Sequence, residues 1–182
     1  GNKISTHIAF YNFGSAGQME LNNQVGELNV DDVLAPQIFF CDNSTAVAVR
    51  TDGFTVFSGS QSPKEKKTVK FDQEIISTFH DGNRIGFVFD GGDSGHKYLM
   101  KVYNTGGKNT MQKYFDLQYN SITLQKDKIV LFNEKEFAIY KLNGQKTFQG
   151  KYRKPIQNVL SIRGFRKYMV ITEDSADLIR LG

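Results

Sequence analysis

Apolar residues in this chain come in short bursts, and the bursts are of two kinds. The first kind is almost continuous: Ala46-Val-Ala-Val49, Ile85-Gly-Phe-Val-Phe89, Ile129-Val-Leu-Phe132 and Tyr168-Met-Val-Ile171. A strand buried on both faces reads this way. The second kind alternates apolar with polar positions and carries the charge, first at Lys66, Lys67 and Lys70, then at Lys146, Lys151 and Arg153. That alternation suits an outer edge strand, where lysine blocks stray pairing. Between the bursts lie Asp52-Gly53, Asp81-Gly82-Asn83, Gly106-Gly107 and Asn143-Gly144. These residues tolerate the positive φ that tight hairpins need. Residues 26–35, with Leu28, Val30, Val33 and Leu34, are the one stretch whose spacing admits a helical turn.

The bursts recur as blocks. Segments ending in glycine-rich turns are anchored by Tyr11, Phe57, Tyr103, Tyr140 and Ile179, spaced 46, 46, 37 and 39 residues apart. A period near 40 residues built of short strands marks a β-propeller blade. Each block divides into strands a to d. Strand a is expected at 37–42, 75–80, 121–125 and 158–163, and strand b at 45–51, 84–90, 128–133 and 167–172. Strand c contains the five anchors, and strand d is expected at 18–23, 66–71, 110–117 and 146–152. The fold expected is all-β: a β-propeller or propeller arc of about four to five four-stranded blade units, part of a larger propeller. One repeat domain spans 3–182, with a partial unit at 3–25 and units at 36–72, 73–117, 118–154 and 155–182. The chain enters with c and d and leaves after a, b and c, so one c strand is surplus to a closed ring. Sheet faces left open in this way imply self-association.

Composition narrows the class. The 182 residues are enough for a real core, and 15 Phe and 8 Tyr without any Trp suit layered sheets. No run of 18 apolar residues occurs, and Cys41 is the only cysteine, which rules out an internal disulfide. Cys41 is expected as a small buried apolar residue. The net charge of +4 is mild, and nucleic acid is not expected as a partner. The chain begins with Gly rather than Met, so upstream sequence with a signal or membrane anchor is expected.

Candidate chemistry is sparse. The loop Asp90-Gly-Gly-Asp-Ser-Gly-His96 offers oxygen ligands but few carboxylates, so it reads as a hairpin loop rather than a calcium site. His7, His80 and His96 show no metal-ligand spacing, and no G-x-S-x-G context exists. The glycine-rich loops 14–17 and 91–95 lead into no helix and lack the P-loop lysine. Asn43-Ser-Thr45 is a glycosylation sequon in a turn. The best candidate binding surface is basic: Lys151, Arg153, Lys154, Arg163, Arg166 and Lys167. Interleaved with Tyr152, these residues suit an anionic surface or polymer in chemistry (nucleic acid, teichoic acid or lipid headgroups); the plainer reading is a solvated outer strand and loop. Asp42, His80, Asp81 and Asp127, near the ends of a strands, are where a glycan-active site would cluster. No catalytic residue, metal or cofactor is expected.

The hairpin Ala138-Ile-Tyr-Lys-Leu-Asn-Gly-Gln145 resembles the repeating turn of quinoprotein-like and YVTN-type propellers, a likeness that runs over residues 3–182. The chain lacks the Gly-His and Trp-Asp pairs of WD repeats and the Trp docking motifs of quinone-dependent dehydrogenases. Its Gly91-Gly92 and Gly106-Gly107 pairs lack a kelch context. In texture it looks most like membrane-anchored propeller proteins of Gram-positive gut bacteria. The resemblance implies a non-catalytic extracytoplasmic scaffold or binding module, anchored through an N-terminal segment. A glycan-active or lectin-like propeller and a purely structural spacer are the alternatives.

Overall fold

The computed structural model describes residues 4–12, 23–162 and 166–181. Its elements are seventeen strands and one 3-10 turn, Gly92–Ser94. The first two strands, β1 (Ser5–Tyr11) and β2 (Gln24–Asp31), form an antiparallel pair. A four-stranded meander follows: β3 (Gln37–Asp42), β4 (Thr45–Arg50), β5 (Gly53–Ser58) and β6 (Lys64–Lys70). The next consists of β7 (Ser77–Asp81), β8 (Arg84–Asp90), β9 (Tyr98–Asn104) and β10 (Asn109–Phe115). The third is β11 (Ser121–Gln125), β12 (Lys128–Phe132), β13 (Glu136–Lys141) and β14 (Lys146–Lys151). A three-stranded sheet of β15 (Asn158–Ser161), β16 (Lys167–Ile171) and β17 (Ala176–Arg180) completes the described chain. In every four-stranded sheet the strands pair in chain order, as a blade requires.

The chain divides into two compact units. The first holds β1 to β6 together with the turn Tyr103–Lys108, and the second holds Ile76–Val102 and the residues from Asn109 onward. In the first, Ile8, Phe10, Ala46, Ala48 and Phe57 make a core, with Leu28 against it. Tyr103 adds a second contact, its ring 5.4 Å from Phe54 and 5.5 Å from Phe71. Residues 26–35 are therefore not a helical turn. Leu28 and Val30 are two apart, and they face Ile8 and Thr6 across the ladder with β1. Their period of two, completed by a partner strand, overrides the weak helical spacing. The strand expected at 18–23 lies, up to 22, outside the described residues.

In the second unit β12 serves two cores at once. Ile129 and Leu131 join Phe79, Val88, Met100 and Leu124 on one side. Val130 and Phe132 join Phe137, Val159, Tyr168 and Val170 on the other. Successive side chains leave a strand on opposite faces, so a continuous apolar run is what a strand between two packed sheets needs. Phe79 lies across Gly86 of the paired strand, and a Cβ added there would sit 2.1 Å from its ring. β16 alternates instead: Tyr168 and Val170 are buried while Met169 and Ile171 are half-buried.

Candidate functional site

The hairpin turns at one end of the second unit converge on a cavity of about 540 Å³. The first contributor is the β11–β12 turn, where Gln125 pairs with Lys128 and leaves Lys126-Asp127 as a two-residue loop. The second is the β13–β14 turn. There Gly144, at φ 82°, lets its amide donate to the Lys141 carbonyl (2.9 Å), and Asn143 Oδ1 accepts from the Gln145 amide (3.0 Å). The third is the β15–β16 turn, tied by the Ile162 amide to the Lys167 carbonyl (3.2 Å) and by the Leu181 amide to the Arg166 carbonyl (3.0 Å). Gln125 locks two of these turns together. Its Nε2 donates to the Val159 carbonyl (2.9 Å) and its Oε1 accepts from the Ser161 amide (2.5 Å).

The walls carry Lys126, Lys128, Lys141, Lys146, Arg166 and Lys167, with Asp127 as the one carboxylate among the described residues. Lys128 donates to Asp127 and holds its carboxyl below the usual carboxylate range. Burial pushes the Tyr168 phenol up, with Asp127 as a second cause. Lys141 Nζ donates to Gln145 Oε1 and Lys146 Nζ to Gln149 Oε1, each at 2.8 Å. These neutral amides orient the ammonium groups and leave their charge in place.

A second cavity of the same unit, of about 790 Å³, is mixed in sign: Lys97, Lys135 and Lys151 alternate with Asp116, Glu134 and Glu136. Tyr98 and Tyr119 also line it. His96 Nδ1 lies 2.9 Å from Asp116 Oδ2, and the Lys97 amide donates to Asp116 Oδ1 (3.0 Å). The His96 bond is the larger cause of the lowered Asp116 pKa.

The basic residues expected from the sequence fall in separate places. Lys151 ends β14 and lines the mixed cavity. Arg153 Nη2 is 3.4 Å from Asp177 Oδ2, and Lys154 Nζ lies 2.9 and 2.8 Å from the two oxygens of Asp174. Arg166 and Lys167 stand in the cationic cleft, and Arg163 lies outside the described residues. Sequence reasoning missed Lys126, Lys128, Lys141 and Lys146. The available signal was positional, since all four border the two hairpin turns, β11–β12 and β13–β14, of one sheet.

The remaining candidates have local roles. Asp90 Oδ1 accepts from the Gly92 amide (2.8 Å) and closes its own loop. Asp42 accepts from the amide and hydroxyl of Ser44, which lowers its pKa. Burial lowers the His80 pKa. Cys41 is half-buried, and burial pushes its thiol up, away from nucleophilic activation. Among the described residues no three His, Cys, Asp or Glu side chains gather to hold a metal, and no helix is long and apolar enough to cross a membrane.

Solved structures similar to this chain share its architecture at low identity. The computationally designed Ika4 protein is 11% identical with a TM-score of 0.50, covering 76% of this chain and 86% of its own. BBS1N, crystallised in complex with ARL6DN, is 10% identical with a TM-score of 0.52 and covers 86% of this chain. Sqt1 of Saccharomyces cerevisiae is 10% identical with a TM-score of 0.51 and covers 75%. The chain spans 53% of the BBS1N chain and 41% of the Sqt1 chain. No curated protein matches it. Sheets pairing in chain order and these neighbours define a β-propeller-type protein. Within that class the chain belongs to the family of unknown function DUF5711, which it matches over residues 1–181.

Proposed function

We propose that this chain is a non-catalytic binding or scaffold module of the bacterial cell surface that engages an anionic partner through its strand-end turns. The observation that carries the reading is the cationic cleft, where six basic side chains from three hairpin turns surround a cavity with one carboxylate among the described residues. Opposed charge of this kind steers an anionic partner and fixes its orientation. The strands supply a rigid frame, and loops on a rigid frame are where binding residues concentrate. The quinoprotein-like or YVTN-type subclass suggested by residues 138–145 and a Gram-positive source belong to the same proposal. Isolated Gram-positive cell envelopes give the test. The protein is expected to co-sediment with them at low salt and to be released as salt rises. Protein that stays in the supernatant at low salt contradicts the reading.

A lectin-like reading is favoured by one feature. Tyr98 and Tyr119 stand beside Asp116, Glu134 and Glu136 in the mixed cavity, joining aromatic surfaces to acceptors for sugar hydroxyls. Saturable binding of a neutral oligosaccharide, unaffected by salt and weakened by Tyr119→Ala, would support that alternative.

A further inference from the structure

The geometry points to the cationic cleft as a binding site for a compact ligand carrying two or more phosphate groups, an inference that rests on the binding-module reading above. Five of the six cations are lysines. Ammonium groups act as separate point charges, an established way of holding phosphate, while the paired guanidinium fork serves phosphate and carboxylate alike. Ser161 adds a hydroxyl to the lining, whereas the Thr147 hydroxyl donates to the Ile139 carbonyl (3.1 Å). The volume of about 540 Å³ is that of a small-molecule pocket, which takes a free oligophosphate or one short stretch of a phosphate polymer.

The charge of the cleft is only partly offset from within, by Asp127. Asp127 is engaged by Lys128, Lys141 and Lys146 are held by amide oxygens, and Lys126 and Lys167 have no carboxylate partner among the described residues. Arg153 and Lys154, by contrast, face Asp177 and Asp174. Cations that line one cavity repel one another over the screening length, about 8 Å at physiological salt. A bound polyanion removes that repulsion, so ligand and folded state stabilise each other.

Two of the cations also occupy unfavourable backbone. Lys126 has φ 58° and Arg166 φ 55°, in the left-handed region that few residues other than glycine adopt. In the preceding sheet the matching turn position is Gly82, at φ 48°. A glycine would sit more easily at 126, yet the chain holds a lysine there, and strain retained in this way marks functional positions.

Isothermal titration with three ligands tests the assignment: inorganic tripolyphosphate, a poly(glycerol phosphate) chain and citrate. Saturable, salt-sensitive binding of either phosphate ligand is expected, and the ligand that binds more tightly identifies a free oligophosphate or a polymer as the source. Lys126→Gly is expected to weaken phosphate binding by about tenfold or more. The same variant is expected to raise the Tm of the free protein by about 2–4 °C, because glycine relieves the left-handed strain. Lys66→Ala, on the exposed β6 strand, serves as a charge-matched control and is expected to change neither. Failure of both phosphate ligands, citrate binding as tight as theirs, or equal weakening by Lys66→Ala overturns the inference. If the protein adheres to envelopes while Lys126→Gly leaves phosphate binding intact, this assignment falls and the binding-module reading stands. If adhesion is absent as well, both fall.

Discussion

Asp177 shows how single side chains set the surface chemistry of this molecule. It accepts from the Tyr152 hydroxyl, and Arg153 lies 3.4 Å away; the Tyr152 bond is the larger cause of its lowered pKa. Asp174 is lowered mainly by Lys154. A carboxylate whose pKa is depressed on folding adds stability above its unfolded value of about 3.9, and that stability disappears as pH falls through the folded value. The urea midpoint is therefore expected to fall as the solution is acidified below about pH 4, and Asp177→Asn is expected to flatten that dependence. A midpoint with the same acid dependence in wild type and variant contradicts the assignment. The same residues explain what the sequence concealed. Read alone, Lys151 to Lys154 is a basic run, but the carboxylates that face Arg153 and Lys154 come about twenty residues later, from the loop before β17 and from β17 itself. Local charge patterns cannot register partners brought in by the next sheet. Lys126 was hidden for the converse reason, because a lysine in a turn looks like ordinary solvated surface until backbone angles reveal its strain.

Strands were far more legible than sites. The apolar runs from Ile85 and Ile129 fall in β8 and β12, where Ile85 to Phe89 and Ile129 to Phe132 are all buried. The Gly82-Asn83 and Asn143-Gly144 turns fall between paired strands as their chemistry requires, while the β4–β5 turn is Thr51-Asp52 and Gly53 opens β5. At Gly53 the choice of residue is forced: φ is 147° and an added Cβ would lie 2.0 Å from the Val69 carbonyl oxygen. The stretch at 26–35 misled because four apolar residues can satisfy a helical spacing without a partner in view. Only the ladder to β1 decides between the periods. Edge behaviour gives the prediction at this scale. β6 is the outer strand of its sheet, and Lys64, Glu65, Lys66 and Lys67 are all exposed. Replacing Lys64 and Lys66 with valine is expected to leave the circular dichroism unchanged and to produce concentration-dependent aggregates in light scattering. A variant as soluble as the parent would show that these lysines do not guard the edge.

At the scale of the whole molecule, repetition accounts both for what was readable and for what was not. A recurring block near 40 residues announces stacked four-stranded sheets, because a two-faced apolar strand has nowhere to bury itself except between neighbours. The structure bears this out in the second unit, where β12 contributes to both cores. The cleft is a product of the same repetition. Residues 126–128, 141–146 and 166–167 are far apart in the sequence and meet because successive sheets present their hairpins at one end. Hydrogen–deuterium exchange with and without tripolyphosphate tests that account most directly. The account expects slow exchange throughout β8 and β12, and added protection on ligand binding confined to those three turns. Rapid exchange in β12, or protection that leaves the three turns untouched and appears instead along Lys64–Lys70, would contradict it.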